Sequence, residues 1–308
     1  MTLFPGFAPR RIRTSGTEIN LVVGGSGPPL LLLHGYPQTH AMWHRVAPRL
    51  AGHFTVVCAD LRGYGDSGKP LSDPAHQTYS KRAMAQDQVE VMQALGFPRF
   101  AVAGHDRGGR VAQRMARDHA ERVERLAVLD ISPTAIMYGR TNQAFATAYY
   151  HWFFLIQPYD LPERLIGADP TYYLRKKIGG WGSGGLSLFD AAARAEYERC
   201  FRDPATIHAT CEDYRASASI DLEHDAADAA QKLGCPLLVL WAERGVVHRL
   251  FDPLADWRSV ADDVRGKPLP AGHYLAEEVP DQTCAELLEF FQTPERCCRD
   301  TPQASTLE

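Results

Sequence analysis

The chain has 308 residues, 45% hydrophobic and 23% charged, with a formal net charge of −4. These proportions describe a water-soluble globular protein with room for a sizeable core, and they exclude disordered and fibrous architectures. There is no basic tract to bind nucleic acid, no apolar run long enough to span a bilayer, and no signal peptide over residues 1–13. The expectation is a cytoplasmic protein that takes a small molecule rather than nucleic acid or membrane.

In chain order, short apolar runs alternate with stretches of helical periodicity. The first run, Pro29–Leu33, leads into His34-Gly35-Tyr36-Pro37, and a second covers residues 54–59. A helix is predicted over 80–95, stopped by Gly96 and Pro98, before a third run at 100–103. A helix over 107–119 and a fourth run at 126–129, ending on Asp130, complete the first part. Runs this short, apolar throughout and separated by helices, are how buried parallel strands read, so the fold class is α/β.

From 132 to 233 the alternation stops and aromatic residues accumulate, among them Tyr149, Tyr150, Trp152, Phe153, Phe154, Tyr172, Tyr173 and Trp181. This segment is expected to be a helical cap inserted into a core made of 1–131 and 234–293, with the glycine-rich stretch 179–185 as a cap loop. The fifth apolar run, 236–241, resumes the sheet. The polar tail 294–308 lacks any pattern and is left out of the fold. Seven cysteines, at 58, 200, 211, 235, 284, 297 and 298, have no metal-ligand spacing except the adjacent last pair, which argues against a disulfide scaffold or a zinc site.

The chemistry centres on Gly104-His105-Asp106-Arg107-Gly108, between the third run and its helix. This is the glycine–x–nucleophile–x–glycine elbow, in which a tight strand-to-helix turn thrusts the central side chain into a site. Its central residue here is an aspartate, and a carboxylate that attacks saturated carbon leaves an alkyl ester that water must hydrolyse. His273 follows the last strand-like stretch and precedes a helix, the position expected of the base. The acid that orients it is either Asp130 or Glu243, since each follows a strand. The backbone amides of Tyr36 and Arg107 are candidates for an oxyanion hole. Arg107 and Arg110, three apart in the first helical turn, share a face at a helix N-terminus and would clamp a substrate carboxylate.

The elbow Gly-His-Asp-Arg-Gly-Gly-Arg at 104–110, the loop His-Gly-Tyr-Pro-Gln-Thr at 34–39 and the stretch Cys-Glu-Asp-Tyr-Arg-Ala at 211–216 resemble the fluoroacetate dehalogenases over residues 3–291. The resemblance implies an α/β-hydrolase fold, with a mostly parallel central sheet, flanking helices and a helical cap. It also implies a cofactor-free, metal-free cytoplasmic homodimer that hydrolyses a small haloacid. By resemblance the catalytic set is Asp106, Asp130 and His273, the carboxylate clamp is Arg107 with Arg110, and the halide pocket is His151, Trp152 and Tyr214. Read as residues alone, the last three are aromatic groups of the cap core. Small departures from the family pattern occur at Gly109, Tyr36 and Tyr274, and bear on rate and halide preference.

Three rivals remain. An epoxide hydrolase shares the nucleophile and base but needs two cap phenols, for which Tyr149, Tyr150, Tyr172, Tyr173 and Tyr214 are candidates, and its neutral substrate gives paired arginines no partner. A haloalkane dehalogenase has tryptophan where this chain has Arg107. A receptor that kept the fold without turnover would bind a haloacid and release no halide.

Overall fold

A computed structural model describes residues 2–293; the tail from 294, with Cys297 and Cys298, lies outside the described residues. Eight strands form one sheet: β1 (Ala8–Arg13), β2 (Glu18–Gly25), β3 (Pro29–Leu33), β4 (Thr55–Ala59), β5 (Phe100–His105), β6 (Val123–Leu129), β7 (Leu237–Ala242) and β8 (Val264–Leu269). Their order is β1-β2-β4-β3-β5-β6-β7-β8. Strand β2 runs antiparallel to β1 and β4, and all other neighbours are parallel.

The five apolar runs become β3 to β7. In the middle of the sheet β5 and β7 are buried at every residue. Leu30, Leu31, Leu32 and Leu33 expose nothing, and each such side chain contributes roughly 1.5–3 kcal/mol to folding. Strand β6 begins earlier than its apolar run because Val123 pairs with Phe100.

The runs do not include β1, β2 and β8. Strands β1 and β8 lie at the sheet edges, where one side meets water, so Arg10, Arg11, Arg265 and Lys267 interrupt their apolar character. Strand β2 alternates buried with less buried residues, as antiparallel strands commonly do.

Helix α1 (Lys81–Ala94) starts where the Ser80 side chain accepts from the Ala83 amide. It stops just before Gly96, whose φ of 87° suits a residue without a Cβ. Helix α2 (Arg107–Asp118) packs on α1, β5 and β6, and its first ten residues are buried. The arginines at its start therefore lie inside the protein.

Between β6 and β7 the described residues form helices and turns with no strand. These include α3 (Tyr150–Leu155), α4 (Pro170–Gly179), α5 (Ala191–Phe201) and α6 (Pro204–Ser217). Helix α6 is buried from Ala209 to Ser217, which turns Asp213 and Tyr214 inward. After β8 the last helix among the described residues is α7 (Pro280–Gln292). No described helix is long and apolar enough to cross a membrane.

Candidate active site

Asp106 sits between β5 and α2 with φ 47° and ψ −113°, a conformation that costs an ordinary residue about 1–3 kcal/mol. Close packing holds it there: a Cβ on Gly108 would lie 2.4 Å from the His34 carbonyl oxygen, and one on Gly35 would lie 2.5 Å from the Asp106 Cβ. The loop after β3 can thus touch Asp106, and the Tyr36 amide donates to its Oδ1 at 2.9 Å. Of the two amides expected to face the aspartate, only that of Tyr36 bonds to it among the described residues. Burial pushes the Asp106 carboxyl up, but His273 and the guanidinium groups of Arg107 and Arg110 outweigh it and hold the group below its ordinary value.

His273 Nδ1 lies 2.6 Å from Asp130 Oδ2, and Asp130 Oδ1 accepts from the Ala242 amide at 2.9 Å. Asp130 also has a positive φ, 52°, so the end of β6 bends to bring its carboxylate to the histidine. With Nδ1 donating to Asp130, the Nε2 lone pair is left as the basic position. Glu243, the alternative acid, is exposed, and its amide bonds to Leu269. The histidine loop is fixed further by Glu278, whose carboxylate accepts from the amides of Gly272 and Ser183 at 2.9 Å and of Tyr274 at 3.1 Å. His105, pushed down to about 3 by burial and by His273, lies with Nε2 2.8 Å from the His273 carbonyl oxygen.

The two arginines differ from the expected open clamp. Arg107 Nε donates to Asp213 Oδ2 at 2.8 Å and its Nη2 to Asp213 Oδ1 at 2.6 Å, while the guanidinium lies over the Tyr214 ring at 4.1 Å. Asp213 also accepts from Tyr64 Oη at 2.6 Å and pairs with Lys81. Arg110 has no carboxylate: Nη1 donates to Thr134 Oγ1 at 2.7 Å and to the Ser132 carbonyl oxygen at 3.1 Å, and the group lies 4.7 Å above Trp152. Burial and the neighbouring Arg107 push its pKa down. One nitrogen on each guanidinium, Nη1 of Arg107 and Nε of Arg110, is buried with no partner.

His151, Trp152 and Tyr214 are all buried, with the His151 and Trp152 rings 5.6 and 6.4 Å from the ring of Tyr214. Trp152 Nε1 and Tyr214 Oη are also without partners. His151 Nδ1 instead lies 2.7 Å from Lys177 Nζ. The sequence reading missed both Asp213 and Lys177. Asp213 stood inside the quoted Cys-Glu-Asp-Tyr-Arg-Ala stretch, beside Tyr214, and a carboxylate next to a candidate site residue is a usable signal. Lys177 follows Lys176 on a helix and reads as one more solvated cation.

A cavity of about 330 Å³ is lined by Asp130, His273, Trp181, Ser183, Arg244 and Arg249, among others. It brings the acid–base pair to the edge of the helical segment. Of the candidate epoxide-opening phenols, Tyr150 and Tyr172 are 47% and 60% exposed, Tyr173 is half-buried, and Tyr149 and Tyr214 are buried.

The sequence profile of the α/β-hydrolase fold matches residues 28–280. This chain is an enzyme of the α/β-hydrolase family. The hydrolase is similar to the fluoroacetate dehalogenase of Burkholderia sp, at 49% identity over 289 residues covering 94% of this chain and 95% of that one. It is also similar to the soluble epoxide hydrolase of Corynebacterium sp. (strain C12), at 36% identity over 90% of this chain and 94% of that one. Among solved structures, ALR0039 from Nostoc sp PCC 7120, assigned as an α/β hydrolase, superimposes with a TM-score of 0.92 at 60% identity, covering 94% of this chain and 99% of that one.

Proposed function

We propose that the hydrolase removes halide from a small 2-haloacid such as fluoroacetate or chloroacetate, giving glycolate, and that the helical segment 132–233 is the cap over this site. The observation that carries the reading is the set of buried donors without partners: Arg107 Nη1, Arg110 Nε, Trp152 Nε1 and Tyr214 Oη. An unpaired buried donor costs about 1–3 kcal/mol, more when charged. Such atoms occur elsewhere too, on Trp43 and Arg114 for instance. These four belong to side chains stacked on one another, Arg107 on Tyr214 and Arg110 on Trp152, and Arg107 directly follows Asp106, which suits anionic groups that arrive with the substrate. A haloacid brings two such groups: its carboxylate, for the guanidinium nitrogens, and the departing halide, for the indole, the phenol and His151.

Asp106 Oδ1 is held by the Tyr36 amide, so Oδ2 is the attacking atom. It displaces halide from the substrate carbon; the C–O bond forms as the C–halogen bond breaks, and the negative charge of Asp106 passes to the leaving ion. Positioning of the carboxylate by the arginines supplies much of the rate. In the second step His273 Nε2 takes a proton from water, which attacks Cγ of the ester. Charge then develops on Oδ1, where the Tyr36 amide already donates. The imidazolium that forms is stabilised by Asp130. Collapse of the tetrahedral intermediate breaks the Cγ–Oδ2 bond; Oδ2 leaves as the glycolate hydroxyl oxygen, taking the imidazolium proton, and the water oxygen stays on Cγ as part of the renewed Asp106 carboxylate, its proton passing to solvent. We carry forward a homodimer in the cytoplasm as part of this reading, for which light scattering measures the oligomeric state.

Incubation with fluoroacetate and chloroacetate, with the released ion followed by selective electrodes, tests the reaction. Fluoride or chloride release that disappears in Asp106→Ala is expected. Release of neither ion would transfer the reading to an epoxide hydrolase, which the 36% identical relative, the buried Tyr149 and Tyr214 and the half-buried Tyr173 would then favour.

A further inference from the structure

Lys177 is a buried lysine on α4, and no carboxylate pairs with it among the described residues. Its ammonium lies 3.8 Å from the centre of the Trp181 ring and 5.3 Å from that of Tyr150. The one side-chain nitrogen it meets is His151 Nδ1, at 2.7 Å. A lysine without a carboxylate is costly to bury, and a rim of aromatic rings offsets part of that cost only.

In its charged form Lys177 has donors and no acceptor, so Nζ–H then donates into the His151 Nδ1 lone pair. With Nδ1 accepting, the His151 proton sits on Nε2, where it is free to be donated elsewhere. Without the lysine, the imidazole could carry its proton on Nδ1 and present a lone pair to an anion, which would repel it. We propose that Lys177 is a positioning residue of the halide site, holding His151 in the Nε2–H tautomer and placing positive charge behind it for the departing halide. This rests on the haloacid reading above.

The charge movement of the first step agrees with this arrangement. Ester formation takes negative charge away from Asp106 and delivers it to the leaving ion, towards His151. Burial pushes the Lys177 ammonium well below its ordinary value, and the charge of Asp106 partly offsets that; burial and Lys177 together push His151 down. A proton on Lys177 is therefore worth most when an anion lies close by, which happens as the carbon–halogen bond breaks.

The leaving ion discriminates between this role and a structural one. Fluoride is compact and strongly hydrated, so its departure leans on donors far more than that of bromide. The test measures the single-turnover burst of halide in an otherwise intact His273→Asn enzyme, with fluoroacetate and bromoacetate, for Lys177, Lys177→Met, Lys177→Gln and Lys177→Arg. Lys177→Met should lower the fluoride burst rate on the order of tenfold to a hundredfold and the bromide rate much less, with Lys177→Arg recovering part of the loss. Lys177→Gln, which keeps a donor without the charge, should fall between. Equal losses for the two ions, or no loss, overturn the proposal. If Lys177→Met does not fold, the fluoride-to-bromide ratio of Lys177→Gln decides, since loss of the charge alone should still lower it. Absence of halide from wild-type enzyme with any haloacid would sink the haloacid reading itself, whereas release with an unchanged ratio in the variants would sink only the role of Lys177.

Discussion

On the sheet side of the site, the side chains that would handle charge are already bonded: Asp106 to the Tyr36 amide, His273 to Asp130, and Asp130 to the Ala242 amide. Beside them, Arg107 and Arg110 at the start of α2 and Trp152 and Tyr214 from the helical segment carry donors without partners among the described residues. The sheet side is preorganised without substrate, because strained turns and strand ends fix it. The donors of the second group are not used up by the fold. Reaction machinery and recognition surface are thus separable here, and substitutions on each side should fail differently.

The largest effect is expected on the sheet side. Asp130→Asn leaves the site its shape but removes the charge that stabilises the imidazolium, so ester hydrolysis should fall by roughly 10⁴-fold, as in other histidine–carboxylate pairs. Ester formation should survive, and the intact protein should gain the mass of a carboxymethyl group after exposure to haloacetate. An adduct-free protein with slow turnover would show that the two steps do not divide as described.

A smaller loss is expected at the unpaired donors. Arg110→Gln removes a guanidinium that has no carboxylate of its own, so KM for a haloacetate should rise about tenfold to a hundredfold, the range of a charge-assisted hydrogen bond. An unchanged KM would mean that the spare nitrogens do not hold the substrate carboxylate.

The smallest change is one of pH. Against burial, His273 is the largest of the charges that hold the Asp106 carboxyl down. His273→Asn removes that pull, so the folded-state pKa of Asp106 rises and its carboxyl is protonated at higher pH. The acid limit of the ester-forming burst should therefore move to higher pH than in wild type. A limit that stays in place or moves down would show that His273 carries no charge felt by Asp106.

What could be read from the sequence follows the same division. The five central strands contain continuous apolar runs, and Asp106 stands in a local motif, although its Gly108 makes room for the distant residues Leu33 and His34. The choice between Asp130 and Glu243 was open, because both follow strands and only the bend at Asp130 brings a carboxylate within 2.6 Å of the histidine. Asp213 and Lys177 take their meaning from Arg107 and His151, which meet them only in the folded chain. The edge strands β1 and β8 were hidden by their own charges, since the pattern that marks a doubly buried strand is lost where one side meets water.

Arg110 has a further consequence, which concerns the stability of the fold rather than the reaction. A guanidinium buried with no salt-bridge partner among the described residues, its charge only partly offset by Asp106, penalises the folded state and not the unfolded one, where water solvates it. Any small carboxylate that settles beside it is then a folding ligand, stabilising the native chain by RT ln(1 + [L]/Kd) whether or not it carries a halogen. Acetate, the substrate shape without its leaving group, would act both as a competitor in the assay and as a stabiliser in the storage buffer.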